Sequence, residues 1–310
     1  MNFSMPRFRG IQISLVVLST LILGSVSQAG TYLDIVASMD VIQAANPELI
    51  SKFDLATNDQ GQKIFGWRFE NLSNLANLGG KSKLLVVGAH HGNELQSADV
   101  SVQIARDLVA QMTSTQAAYY AGLSNRVLFV IPVLNIGGYN ATRREEATKA
   151  GVLTDPNRDY PDPCGNSATF KLSSTKALAD FMKSEEIAGA ITIHGYVGSF
   201  TYPWGTYTDH THTLDQDFFE QIAKVAVAQN GYETGTHADV IYPTVGAFED
   251  WAYHELGSWT MLMELRKGAS LAKDSRAALA YFAQVPEVRS FNNEHTGHCR
   301  KDKGIVRGRP

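Results

Sequence analysis

The chain has 310 residues, 44% of them hydrophobic, and 27 Lys and Arg stand against 31 Asp and Glu for a formal net charge of −4. That balance excludes a disordered or collagen-like protein and supplies enough apolar residues for a sizeable core. With 19% charged residues and no run of five like charges, the chain lacks a basic face to displace counterions from nucleic acid, which argues against nucleic-acid binding.

At the N-terminus, Arg7 and Arg9 precede an apolar stretch centred on Leu15, Val16, Val17 and Leu18 and on Leu21, Ile22 and Leu23. Ser27-Gln28-Ala29 then offers small residues at signal-peptidase spacing, so residues 1–29 read as a cleaved export signal. The competing reading is a membrane anchor. Gln12, Ser14, Ser19 and Thr20 interrupt the run, however, which falls short of about 20 predominantly apolar residues. The expectation is a secreted or extracytoplasmic protein with no stable membrane anchor after cleavage. Losing this segment removes two arginines and no acid, so the remainder is more acidic than the whole.

Beyond it, apolar spacing predicts helices over 33–44, 94–112, 173–184, 214–229 and 270–283. Short β-branched runs predict strands over 64–69, 84–87, 127–134, 191–193 and 261–265. The alternation implies an α/β sheet covered on both faces. Nothing marks an internal repeat or linker, so residues 30–300 are expected to form one domain, followed by a polar, basic, frayed tail over 301–310. Cys164 and Cys299 are the only cysteines, enough for one disulfide at most, and the sequence leaves their pairing open. Asn71-Leu72-Ser73 and Asn140-Ala141-Thr142 are glycosylation acceptors only in a eukaryotic host.

The chemistry gathers at strand ends. The 84–87 run leads into Gly88-Ala89-His90-His91-Gly92-Asn93-Glu94, which puts imidazoles and a carboxylate at the carboxyl end of a buried strand, where ligands bind in open α/β sheets. His91 and Glu94, three residues apart across a strand-to-helix turn, can converge on one ion; a core histidine and a capping glutamate are the bland alternative. The 191–193 strand ends at His194, and two apolar strands that both terminate in histidine suggest a common site. His91, Glu94 and His194 make the two-His, one-carboxylate set of a catalytic zinc, which keeps a further position for water. The 261–263 run enters Glu264, either a partner for Arg266 or a general base beside a metal-bound water. His90 is expected to point away from the metal by strand alternation. His210-Thr211-His212 with Asp215, and His295 with His298 and Cys299, follow no buried strand and read as loop or surface groups.

These motifs resemble the zinc metallocarboxypeptidases of the carboxypeptidase A/B family, over essentially all of the chain after residue 29. The resemblance implies a single domain with a mixed, twisted β-sheet and helices on both faces, one Zn2+ per chain on His91, Glu94 and His194, and Glu264, in Glu264-Leu265-Arg266, as the catalytic base. Asn157 and Arg158, in Asp155-Pro156-Asn157-Arg158-Asp159-Tyr160-Pro161, match the pair that holds a substrate's terminal carboxylate. Tyr242, eight residues before Asp250-Trp251, matches a mobile tyrosine that caps the bound terminal residue. Tyr202-Pro203-Trp204-Gly205 and Asn135-Ile136-Gly137-Gly138-Tyr139 are also family-like.

Some positions depart from the pattern. The family usually has Asn-Pro-Asp-Gly where Asn135-Ile136-Gly137-Gly138 stands, and the shortened loop beyond it leaves Arg144, or alternatively Arg143, as the arginine that polarises the scissile carbonyl. Asn93 replaces a basic residue that some members carry. The residue before Asp250-Trp251 lies at the base of the family's specificity pocket, where an acid accompanies Lys or Arg at the substrate's end. Glu249 stands there, which implies a basic preference; the alternative turns Glu249 to solvent or onto a neighbouring Arg or Lys, leaving Leu262 in a pocket suited to apolar ends.

The resemblance thus implies a monomeric exopeptidase acting on peptide or protein C-termini. Residues 34–49 resemble the start of the family's mature domain, so no long inhibitory prosegment is expected. Two other functions share parts of the signature: a zinc amidohydrolase acting on acyl-amino acids or cell-wall peptides, and a secreted peptide-binding protein that keeps the fold without turnover.

Overall fold

The computed structural model describes residues 30–70, 81–113, 123, 125–165, 170–207, 210–292, 294 and 296–299. The expected export signal, the acceptor at Asn71, His295 and the basic tail lie outside them.

Helix α1 (Tyr32–Ala45) starts where the Thr31 N–H and hydroxyl both donate to Asp34, at 2.7 and 2.8 Å, satisfying groups that a helix start leaves open. Strands β1 (Ile50–Thr57) and β2 (Lys63–Glu70) form an antiparallel hairpin, and β3 (Lys83–Gly88) leads into α2 (Gln96–Thr113). Next come β4 (Val127–Ile131), the short helix α3 (Ile136–Ala141), and a two-residue pairing of β5 (Glu146–Ala147) with β6 (Leu153–Thr154). After α4 (Ser173–Ser184) the chain runs through β7 (Gly189–Gly195), β8 (Ser199–Tyr202), α5 (Gln216–Val227) and β9 (Glu233–Thr236). The last elements are α6 (His237–Val240), α7 (Phe248–Leu256), β10 (Trp259–Leu265) and α8 (Leu271–Phe282).

Eight strands form one mixed sheet in the order β1-β2-β4-β3-β7-β10-β8-β9. Its middle four, β4-β3-β7-β10, are mutually parallel, and the β1-β2, β2-β4 and β10-β8 pairs are antiparallel. Every residue of β4, β7 and β10 is buried except Gly195, which is half-buried. Successive side chains of a strand point to opposite faces, so these strands are covered on both sides. Helices α2, α5 and α8 pack in series, while α4 lies against β1 and α7 against β10.

The five predicted helices and five predicted strands all form, the helix over 173–184 with the expected bounds and the others with shifted ends. The strand expected over 127–134 stops at Ile131, because Pro132 has no N–H for the ladder. The helix expected from 94 begins at Gln96, leaving Glu94 in the preceding turn. Strands β1, β8 and β9 and helices α3, α6 and α7 were not legible as elements. Cys164 and Cys299 pair as a disulfide with Cα atoms 5.6 Å apart, across 135 residues of sequence. Among the described residues, no helix is long and apolar enough to cross a membrane.

Candidate active site

The parallel strands β3, β7 and β10 end side by side, and their ends carry the site. A Cβ on Gly88 would stand 2.3 Å from the Pro132 carbonyl oxygen, and one on Gly92 would stand 2.1 Å from the Gly138 backbone. Only glycine lets the loop after β3 press this closely on the start of α3. The Ala89 N–H donates to Ser97 Oγ at 2.9 Å, pinning the loop to the first turn of α2. Asn135 caps α3 by accepting from the Gly138 N–H and also donates to the Arg144 carbonyl at 3.0 Å, so one side chain fixes both the helix start and the bend that carries Arg144.

His91, Glu94 and His194 converge, with one ligand-capable atom from each lying within 4.8 Å of the others. Glu94 bridges the imidazoles: its Oε1 is 2.9 Å from His91 Nδ1 and its Oε2 2.9 Å from His194 Nδ1. The two Nδ1 atoms are 3.0 Å apart. Two imidazole nitrogens and a carboxylate this close, all buried, make a donor set that fits one Zn2+. Burial pushes the Glu94 carboxyl up, but His91 and His194 outweigh it and hold Glu94 well below the usual carboxylate range. The far side of His91 is held too, with Nε2 3.0 Å from Asp155 Oδ1. A carboxylate behind a ligating histidine fixes the ring's tautomer and orientation.

Asp155 also accepts from Arg144, at 2.9 Å from Nε and 2.8 Å from Nη2. Arg144 Nη1 lies 3.8 Å from Glu94 Oε1, whereas the Arg143 Nε–H donates to the Glu145 carbonyl. Of the two candidates, the structure brings Arg144 to the cluster. Burial works against the Arg144 charge, but Asp155 and Glu94 keep the guanidinium protonated.

Glu264 sits opposite His194 in the β7–β10 register. Its Oε2 is buried without a hydrogen-bond partner, and burial together with the nearby Glu94 pushes its carboxyl up to about 8. A carboxyl poised this high suits a group that takes and returns a proton.

Asp155 accepts from the Asn157 N–H at 2.9 Å and, with Pro156, starts a short 3-10 turn that presents Arg158. The Asn157 side-chain oxygen accepts from the Phe248 N–H at 2.8 Å, so its amide NH2 remains for a ligand. Arg158 Nη2 donates to the Tyr242 hydroxyl at 3.3 Å, with the guanidinium carbon 5.9 Å from the ring centre.

Glu249 neither turns to solvent nor meets an Arg or Lys among the described residues. It is fully buried, and its Oε1 lies 2.9 Å from Nδ1 of an equally buried histidine, His237. His90 turns away from the cluster onto the Tyr160 hydroxyl and the Thr192 hydroxyl, at 2.9 and 2.8 Å. His210 contacts Asp239 at the surface, and no second group of metal-ligating side chains forms among the described residues. Sequence reasoning missed the roles of Asp155 and His237. The aspartate stood inside a quoted motif, but its contact with His91 spans 64 positions, and nothing local marked His237.

A model of the zinc carboxypeptidase family matches residues 35–287. Among curated proteins, carboxypeptidase B of Canis lupus familiaris is 27% identical over 259 residues, covering 73% of this chain and 60% of that protein. Carboxypeptidase A1 of Homo sapiens is 26% identical over 261 residues, covering 74% and 60%. The chain thus spans about 60% of the length of these relatives. A-type and B-type proteins match almost equally, so likeness alone does not choose a specificity. Among solved structures, bovine thrombin-activatable fibrinolysis inhibitor in complex with tick carboxypeptidase inhibitor superposes with a TM-score of 0.70 at 19% identity, covering 83% of this chain and 96% of that one. The carboxypeptidase A from Helicoverpa armigera superposes at 0.64 with 14% identity, covering 82% and 71%. At these identities the superpositions speak for the fold.

Proposed function

The chain belongs to the zinc carboxypeptidase family, and from that premise we propose that it is a secreted metallocarboxypeptidase that hydrolyses the last peptide bond of peptides or proteins, with preference for basic C-terminal residues. The observation that carries this reading is the meeting of a buried His91–Glu94–His194 donor set with the high-pKa carboxyl of Glu264 and the guanidinium of Arg144.

His91, Glu94 and His194 would hold the zinc, which when bound would supply a polarised water with a pKa lowered toward ~7. Glu264 takes the proton from the attacking water and passes it to the leaving amine, and burial leaves it no competing partner at Oε2. Arg144, oriented by Asp155, donates to the oxygen on which charge develops. Arg158 makes a forked, charge-assisted contact to the terminal carboxylate, and the Asn157 amide adds a neutral donor. A fixed cation there requires the chain to end, which makes the enzyme an exopeptidase. Tyr242 closes over the occupied pocket and excludes water. Glu249, beneath the pocket, supplies the charge that favours a basic terminal residue.

The test measures zinc content and turnover on three matched substrates: a blocked dipeptide with a free C-terminus, its C-terminal amide and an acyl-amino acid. One zinc per chain and cleavage of the free-acid dipeptide alone are expected. Preference for the acyl-amino acid would make the protein an amidohydrolase, and bound zinc without turnover a binding protein.

A further inference from the structure

The pair beneath the pocket has a feature that an acid alone would not have. His237 opens α6, and its segment is fastened beside the pocket wall: the Ala238 N–H donates to the Trp204 carbonyl at 3.1 Å and the Thr244 N–H to the Gly205 carbonyl at 2.8 Å. A Cβ on Gly205 would stand 2.8 Å from Thr244 Cγ2 and 3.3 Å from the His237 ring, so this wall packs closely on the imidazole. The ring also stands perpendicular to that of Tyr242, with centroids 5.8 Å apart, and Tyr242 in turn meets Arg158. The imidazole therefore lies between Glu249 and the residues that hold the substrate's carboxylate.

The hold on Glu249 is close but poorly directed. His237 Nδ1 and Glu249 Oε1 are 2.9 Å apart, yet neither nitrogen of the ring and neither oxygen of the carboxylate makes an aligned hydrogen bond. Both residues are shut off from solvent, at 2% and 0% exposure. A buried carboxylate whose neighbouring imidazole is badly aligned is a good acceptor for a better-placed donor. A substrate guanidinium or ammonium is such a donor, but the imidazole already stands 2.9 Å from Glu249.

We propose that His237 is a specificity-determining gate: its imidazole keeps the place against Glu249 that the side chain of a C-terminal Arg or Lys takes, and basic substrates bind with the ring swung aside. This rests on the reading that Glu249 selects the terminal residue. The cost of displacing the ring falls on basic ends and not on ends that never reach Glu249. His237 thus moderates the preference that Glu249 creates.

The experiment compares kcat/KM for blocked dipeptides ending in Arg, Lys, Leu and Phe, on zinc-loaded wild type, His237→Ala, Glu249→Gln and the double variant. Free arginine binding by calorimetry gives a readout apart from turnover. His237→Ala should raise kcat/KM for Arg and Lys ends about tenfold relative to Leu and Phe, and should tighten arginine binding; in the Glu249→Gln background both gains should vanish. If wild type favours basic ends and loses that preference in Glu249→Gln, but His237→Ala brings no gain, the gate is wrong and the Glu249 reading stands. If wild type and Glu249→Gln favour Leu and Phe alike, the Glu249 reading fails and takes the gate with it. Should the alanine variant not fold, His237→Asn, which shortens the side chain and keeps a donor, must show the same gain.

Discussion

Glu264 and His194 are register partners on adjacent parallel strands, so the proposed base and a proposed metal ligand are set side by side by the backbone ladder itself. Parallel pairing fixes their relative height, and neither can slip by one residue without turning its side chain to the other face of the sheet. Glu264→Gln, nearly isosteric, should keep zinc bound and the fold intact while lowering kcat by on the order of 10²–10⁴. His194→Ala should instead lose the metal. Near-normal kcat in the first variant would end the role given to Glu264, and unchanged zinc in the second would end the ligand assignment.

Asp155 holds both His91 and Arg144, so its loss should register in two separate measurements. Carboxylates behind ligating histidines typically carry 10–100-fold in metal affinity, and Asp155→Ala is expected to weaken zinc binding by about that factor in chelator competition. With zinc restored to saturation, kcat should still be reduced, because Arg144 has lost its brace. Full recovery at saturating zinc would confine Asp155 to the metal.

Arg158→Ala removes a charge-assisted contact worth roughly 1.5–3 kcal/mol and should raise KM for peptides with free C-termini by about ten- to a hundredfold. Amidated peptides should already be poor substrates for the wild type, and the variant should narrow the gap between the two. Equal cleavage of amide and free acid by the wild type would exclude the exopeptidase reading.

What the sequence made legible, and what it did not, divides along the range of the forces involved. The central strands showed because strands buried on both faces are written as apolar or β-branched runs, as in 127–131 and 191–193. His91 and Glu94 showed because three residues of a tight turn bring them together. Strand β9, with Gly235 in its middle, has no apolar pattern and exists because β8 templates it. Helix α6 is a single turn fastened by contacts to Trp204, and propensity could not announce it. The His237–Glu249 pair joins the starts of two helices across 12 positions, a contact that depends on how those helices dock. The disulfide is the same kind of case, since two cysteines 135 residues apart meet only in the finished fold.

That disulfide fastens the chain's 296–299 segment to a loop with structural duties. Next to Cys164, Asp162 accepts from the Cys164 N–H at 2.8 Å and from the Gly246 N–H at 3.2 Å, and it also binds the Thr206 hydroxyl. Closing so long a loop restricts the unfolded chain, and its loss is expected to cost about 2–5 kcal/mol. The Cys164→Ser, Cys299→Ser double variant should unfold at a lower urea concentration while retaining zinc, since the proposed ligands lie on β7 and in the turn between β3 and α2. An unchanged urea midpoint would show that the crosslink adds nothing to stability.

Glu146 offers a stability test that does not touch the site. Its carboxylate is fully buried at the start of β5, accepting from the Ser174 hydroxyl at 2.5 Å. Burial pushes its carboxyl up to about 7 from an ordinary 4.5, and the hydrogen bonds from Ser174 and Asn58 offset only part of that. Below pH 4.5 the group is protonated whether the chain is folded or not. Between 4.5 and 7 the unfolded chain gives up the proton that the folded chain retains, so the folded state binds more protons and stability falls as pH rises. Above about 7 the folded chain has released it too and the loss is complete, at about 3 kcal/mol. Glu146→Gln keeps the acceptor for Ser174 and removes the titration. Its urea midpoint should therefore match the wild type near pH 4.5 and exceed it progressively up to pH 8, and a constant difference between the two proteins across that range would show that Glu146 is not the group responsible.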